Sequence, residues 1–143
     1  MMVCSGWWNG VCADAQEKRT REHRIKKIMR VLITGANGYI GQHLTLALLR
    51  DKLQVCAFSR SLLPSRISNI LGLEWFVGDI LDAGSLTRAC DRCEVVVHLA
   101  TLPLNNNFLD PVNDYRVNVA GTLNVLSAAY KAGVQRVIYT STA

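Results

Sequence analysis

Gly35-Ala36-Asn37-Gly38-Tyr39-Ile40-Gly41 is a glycine-rich turn between an apolar run, Val31-Leu32-Ile33-Thr34, and a helix-like run from Tyr39 to Arg50. Strand, glycine turn and helix in that order make a phosphate-binding unit. The first glycine permits the tight turn. The second lets backbone approach a pyrophosphate, and the third lets the helix pack on the strand. N–H groups at the helix start then face the anion, and the helix dipole favours its charge. The spacing is G-x-x-G-x-x-G rather than the commoner G-x-G-x-x-G. A glycine turn also occurs in α/β proteins that bind no nucleotide, so the rest of the chain has to decide between the two readings.

Downstream, strand-like and helix-like segments alternate. Arg30–Thr34 reads as the first strand and Tyr39–Arg50 as a helix with Ile40, Leu44, Ala47 and Leu48 on one face. Leu53–Ser59 reads as the second strand, Leu62–Leu71 as a short helix after Pro64, and Leu73–Val77 as the third strand. Ala83–Cys90 reads as a helix with Asp82 as its N-cap. Val95–Ala100 is nearly all apolar, as a parallel strand covered on both faces should be. Asp110-Pro111 reads as N-cap and first helical residue of a helix running to about Ala132 and stopping at Gly133. Gln135–Thr140 is the fifth strand. Five strands joined by helical crossovers predict a doubly wound parallel α/β sheet.

Length and composition bound this reading. The 143 residues, half of them hydrophobic, suffice for one domain with a core but not for a second full domain. Residues 1–28 carry six basic and three acidic side chains without an apolar period; the remainder carries ten against eight. Met29 reads as the natural start, with residues 1–28 as a disordered N-terminal extension ahead of a domain over 29–143. The mixed charge of that extension argues against a nucleic-acid or membrane arm. No secretory signal and no run of transmembrane length is present, so a cytoplasmic location is the expectation. Five cysteines make no disulfide-like framework. Cys90-Asp91-Arg92-Cys93 is a C-x-x-C, but His98 is the sole nearby further ligand and falls in a strand that should be buried, so no metal site is assigned.

Ligands of such sheets bind outside the carboxyl ends of the strands. Gly35, Gly38 and Gly41 follow strand one, Ser59 and Arg60 end strand two, and Gly78 and Asp79 follow strand three. His98, Ala100 and Thr101 end strand four, and Ser141 and Thr142 end strand five. An acid at the end of strand two would accept from a ribose 2′-hydroxyl and favour NAD. Ser59-Arg60 stands there instead, and arginine pairs with a 2′-phosphate, so NADP is favoured over NAD.

The runs VLITGANGYIGQHL, GDILD at 78–82, HLAT at 98–101, YRVNVAGTLNVLSAA at 115–129 and RVIYTSTA at 136–143 resemble, in order and spacing, the extended short-chain dehydrogenases, or NAD-dependent epimerase/dehydratases. The resemblance covers residues 29–143 and implies a Rossmann fold cut before the last strands and the substrate domain. It implies that the glycine turn, Asn37, Tyr39 and Ile40 included, holds the pyrophosphate. It further implies that Asp79 and Ile80 contact adenine, that Leu99, Ala100 and Thr101 line the nicotinamide side, and that Asn118 lies near the cofactor. Thr142 matches the serine or threonine that holds substrate, Ser141 being the competing register. The implied reaction is hydride transfer on a nucleotide-sugar-like small molecule. Dimers in this family pair through long helices, here including Pro111–Ala132. The family's catalytic Tyr-x-x-x-Lys lies downstream of the position of Thr142, and the chain stops at Ala143. The expectation is therefore that this chain alone is inactive, and the alternative reading is a non-catalytic NAD(P)-binding module. Simple hydrogen bonding remains an alternative role for several of these residues: Asp79 as a turn cap, Asn118 as a tie between helix and loop, His98 as a packed core residue.

Overall fold

The apolar runs become five parallel strands: β1 (Arg30–Thr34), β2 (Gln54–Ser59), β3 (Leu73–Val77), β4 (Val95–His98) and β5 (Arg136–Tyr139). The structure is a computed structural model that describes residues 28–61, 70–102 and 110–140. The sheet order is β3-β2-β1-β4-β5, with Ile33 of β1 between Ala57 of β2 and Val97 of β4. The order reverses at β1, so the crevice between the ends of β1 and β4 is the switch point of a doubly wound sheet. The helices are α1 (Tyr39–Arg50), α2 (Ala83–Cys90), α3 (Pro111–Tyr115) and α4 (Gly121–Lys131), with a π-helical turn over Arg116–Ala120 joining the last two.

Strand alternation builds two cores. Leu32, Cys56, Phe58 and Val96 face α2 and α4, where Leu86, Ala89, Val125 and Ala129 complete a buried cluster. Val31, Ile33, Val55, Ala57 and Val97 face α1 and its partly buried Leu44, Leu48 and Leu49. Leu32 and Phe58 are fully buried, each stabilising by about 1.5–3 kcal/mol relative to exposure.

Most boundaries follow the expected signals. Asp82 accepts from the Gly84 N–H at 2.9 Å and caps α2. Asp110 accepts from the Asn113 N–H at 3.0 Å and caps α3, with Pro111 in the first turn. Gly133 sits at φ +70°, where the last helix stops. Strands two, four and five are one or two residues shorter than expected. The short helix over 62–71 falls mostly on residues outside the described ones.

Two expectations need correction. Ile40 is 62 % exposed, and Ala47 is exposed as well. The helix instead buries Gly41 and Thr45, and Gly41 packs against the turn after β1. A Cβ on Gly41 would stand 2.7 Å from Ala36 Cα, so the absence of a side chain there sets which face turns inward. The helix from Pro111 is also not continuous. Gly121 N–H bonds to the carbonyl of Arg116, five residues back, which inserts one extra residue into the turn. Two contacts hold that turn. The Thr122 hydroxyl donates back to the Asn118 carbonyl at 2.6 Å, and Gly121 packs so close to Ile80 that a Cβ would meet its Cγ1 at 2.8 Å.

Candidate functional site

The turn after β1 is built around Gly35. Its φ is +70°, and a Cβ there would stand 2.8 Å from the backbone N of Ala100 and 2.9 Å from the carbonyl carbon of Leu99. The end of β4 therefore lies against the turn itself, backbone on backbone. Gly38 differs: a Cβ would meet only the Gly35 carbonyl oxygen, at 3.2 Å. Packing within the protein demands a glycine there less than at Gly35. Helix α1 starts directly after Gly38, and no side chain caps its first turn. The first N–H groups of a helix have no intrahelical acceptors, so this end offers donors to an anion.

A cavity of about 400 Å³ opens at the carboxyl ends of β1, β2, β3 and β4. Gly35, Asn37, Gly38, Tyr39, Ser59, Arg60, Asp79, Ile80, Leu99, Ala100 and Thr101 line it, as do Phe58, Gly78, Leu102 and Val117. The topology thus brings together residues from four strand ends and the glycine turn. Of the expected cofactor positions, Ile40, Gly41 and Asn118 do not line the cavity. Ile40 is turned to solvent, and Gly41 is spent on helix–turn packing. Asn118 acts from behind the wall: its Oδ1 accepts from the Leu102 N–H at 2.8 Å and is 3.0 Å from Thr101 Oγ1. Ser141 and Thr142 lie outside the described residues.

The lining positions that sequence reasoning missed divide into two kinds. Phe58 is the immediate neighbour of Ser59, so widening that strand end by one residue finds it, while Gly78 is already among the strand-end residues. Leu102 is held at the cavity by Asn118, the neighbour of Val117 on the π-helical turn, for which the sequence carries no short-range signal. Asp79 lines the cavity and also caps its turn, its Oδ1 accepting from the Leu81 N–H at 2.9 Å.

Behind the cavity, His98 is buried at 2 % exposure and fully hydrogen-bonded. Its Nδ1 is 2.6 Å from Thr34 Oγ1, and its Nε2 is 2.9 Å from Thr122 Oγ1. Proton counting fixes the tautomer. The Thr122 hydroxyl gives its one proton to the Asn118 carbonyl, so it accepts from Nε2–H. Nδ1 is then the acceptor for the Thr34 hydroxyl, which in turn receives the Ala100 N–H at 3.3 Å. Burial holds the His98 pKa below the ordinary histidine value, in agreement with a neutral ring. One chain of hydrogen bonds thus ties β1, the end of β4 and the π-helical turn, and the packed-core reading of His98 describes its geometry. The end of β2 beside the cavity carries a second small network, in which the Asn37 amide donates to Ser61 Oγ at 2.9 Å and the Ser59 hydroxyl donates to the Ser61 carbonyl.

Among the described residues, no three His, Cys, Asp or Glu side chains are grouped to hold a metal ion. No helix among them is long and apolar enough to cross a membrane.

A sequence model of the NAD dependent epimerase/dehydratase family matches residues 31–143. The chain is 38 % identical over 117 residues to a 3 beta-hydroxysteroid dehydrogenase/Delta 5→4-isomerase of Mycobacterium tuberculosis, covering 78 % of this chain and 31 % of that protein. It is 34 % identical over 125 residues to a UDP-glucose 4-epimerase of Neisseria meningitidis, covering 80 % of this chain and 37 % of that protein. Among solved structures, the UDP-glucose 4-epimerase of Thermus thermophilus in complex with NAD superposes with a TM-score of 0.71 at 34 % identity, covering 80 % of this chain and 38 % of that one. The chain thus spans about a third of the length of the curated relatives it matches. With the fold, the glycine turn and the family match in agreement, the chain belongs to the NAD-dependent epimerase/dehydratase family.

Proposed function

We propose that this chain is the dinucleotide-binding part of an NAD(P)-dependent epimerase, dehydratase or reductase acting on a nucleotide-sugar-like substrate. The observation that carries the reading is the cavity at the switch point, where the glycine turn and the ends of β2, β3 and β4 converge. The residues fit the group. Gly38 is bare although packing demands a glycine there less than at Gly35, and the uncapped start of α1 faces the same space.

In this reading the turn from Gly35 to Gly41 holds the pyrophosphate, and Asp79 and Ile80 bound the adenine. Leu99, Ala100 and Thr101 bound the nicotinamide side, and Asn118 fixes that wall through Leu102 and Thr101. A bound nicotinamide supplies the hydride acceptor and donor. Thr142 holds the substrate hydroxyl in the same reading. Arg60, with Ser59 and no carboxylate at the end of β2, favours a 2′-phosphate and hence NADP. The chain divides at residue 28 into an extension and the binding domain. It also pairs as a dimer through its last two helices. Exposed Val112, Tyr115, Val119, Leu123, Leu126 and Tyr130 recur there at helical spacing and support that pairing.

Calorimetric titration with NADP and with NAD tests the reading. Folded protein binds NADP more tightly, and Arg60→Ala removes the difference, a loss of roughly tenfold in NADP affinity. Folded protein that takes up neither dinucleotide overturns it.

A further inference from the structure

The sequence pairs Cys90 with Cys93 by proximity; the fold pairs Cys93 with another residue. Cys93 Sγ lies 3.8 Å from Cys56 Sγ on β2, across 37 positions of sequence. Both thiols are buried, and both are free. Arg30, at the start of β1, has a buried Nε without a hydrogen-bond partner, and its guanidinium lies beside the Cys93 thiol. None of these sulfurs lines the nucleotide cavity. The cluster sits toward the opposite end of the sheet, just before β4 begins.

We propose that Cys93 and Cys56 form a peroxide-responsive thiol pair that closes into an intramolecular disulfide. The three cysteines are unequal, which sets the order of events. The shared hydrogen bond with Cys56, aided by Arg30, holds the Cys93 thiol below the usual range against the effect of burial. That same hydrogen bond, together with burial, raises Cys56. Cys90 is pushed up to about 11 by burial. The thiolate is the reactive form, so Cys93 reacts first.

The Cys93 thiolate attacks one oxygen of hydrogen peroxide and the O–O bond breaks. The departing hydroxide takes a proton and leaves as water, with Cys93 now a sulfenic acid. The Cys56 sulfur then attacks the Cys93 sulfur, the S–O bond breaks, and hydroxide leaves with the Cys56 proton as a second water. Two thiols lose two electrons, and one peroxide becomes two waters. The sulfurs must close from 3.8 Å to about 2.05 Å. Asp91 and Arg92, immediately before Cys93, are exposed, and Arg92 sits at φ +57°. A small displacement of this turn admits an oxidant of two heavy atoms.

The test oxidises the 143-residue protein with hydrogen peroxide, blocks remaining thiols with N-ethylmaleimide in denaturant, and maps peptides by mass spectrometry. The expected product is a Cys56–Cys93 cross-linked peptide, with Cys90 alkylated. Cys93→Ala should lower cross-linking at Cys56 by at least about tenfold. Cys56→Ala should leave a sulfenic acid on Cys93 that dimedone captures, and Cys90→Ala should cross-link like the natural chain. The wild-type map decides the matter by itself if a variant fails to fold. A Cys90–Cys93 link, or oxidation confined to Cys4 and Cys12 while Cys93 stays a thiol, overturns the proposal.

Discussion

The two ends of the sheet are made from the same five strands and are built on opposite plans. At the carboxyl ends, glycines bring backbone against backbone and leave a cavity of about 400 Å³. The polar groups behind that cavity are neutral and pass hydrogen bonds from Ala100 through Thr34, His98 and Thr122 to Asn118. At the amino ends the strands are closed by charge. The Arg30 guanidinium reaches across β2 to Glu74 on β3 at 2.6 Å, and the Arg30 N–H donates to the Glu94 carboxylate at 2.7 Å. The contrast teaches where precision is needed. A site that must accept a ligand is positioned by groups with fixed direction, backbone and neutral hydrogen bonds. An end that only has to be closed is held by a partly exposed ion pair and a carboxylate on a strand N–H, and a pair open to water contributes little.

The largest effect should come from Gly35→Ala. The new Cβ is disfavoured by a φ of +70° and would stand within 2.9 Å of the Leu99–Ala100 peptide, which is backbone and cannot rotate away. Strain and overpacking together should cost about 2–4 kcal/mol. Urea denaturation measures the loss, and dinucleotide binding should fall with it because the turn and the end of β4 move apart. Gly38→Ala is the sharper companion, since there the Cβ meets only one oxygen at 3.2 Å. It should keep nearly all stability while weakening binding. Equal stability losses in the two variants would erase the distinction between a glycine needed by the fold and one left bare for a ligand.

Thr122→Val comes next. It keeps the shape and removes the acceptor of His98 Nε2–H and the donor to the Asn118 carbonyl. A buried polar group left unsatisfied costs about 1–3 kcal/mol, again read by urea denaturation. The same variant should loosen the hold of Asn118 on Leu102, raising amide exchange at Leu102. Unchanged exchange there would mean that the π-helical turn keeps Asn118 in place without the histidine chain.

What the sequence revealed, and what it hid, follows the range of the interactions. The glycine turn, the five strands, Asp82 and Asp110 as caps, and Gly133 as a stop are each written within a few residues, and each stands in the structure. The strand ends were legible as a site because parallel topology puts every carboxyl end on one edge. The π-helical turn was not legible, because it depends on Thr122 meeting His98 and on Gly121 meeting Ile80. The approach of Cys56 to Cys93 was not legible for the same reason: the C-x-x-C shows only Cys90 near Cys93, and the fold brings in Cys56 from 37 positions away. The inward face of α1 was legible in Leu44 and Leu48, which pack on the core, but not at its start, where Ile40 is exposed and the close packing on the turn is made by Gly41.

Acid should separate the two ends further. The His98 pKa is lowered in the folded protein by burial, from an ordinary value of 6.5. The unfolded chain therefore binds a proton more readily. Stability is full above pH 6.5 and is lost as the pH falls from there toward the folded value. The slope is at most about 1.4 kcal/mol per pH unit for one proton. Urea titrations between pH 7.5 and pH 5 measure it. Nitrogen chemical shifts of the His98 ring should show the Nε2–H tautomer at pH 6.5 in the folded protein. A ring that protonates at its ordinary value while folded would contradict the neutral chain.

The smallest effect should be that of Glu74→Gln at the amino ends. Glu74 is 53 % exposed on its side chain and Arg30 21 %, so water already solvates much of the pair. Exposed pairs of this kind contribute about 0–1 kcal/mol, and less as salt rises. Glutamine keeps an acceptor for the guanidinium, so the remaining loss is Coulombic only. Denaturation at low and high salt measures it, and dinucleotide affinity should not change, since neither residue lines the cavity. The comparison stands on this outcome as much as on Gly35→Ala. A loss above about 2 kcal/mol, well beyond the exposed-pair range, would make Arg30 a structural strut from β1 over β2 to β3. The amino ends would then be as tightly specified as the site.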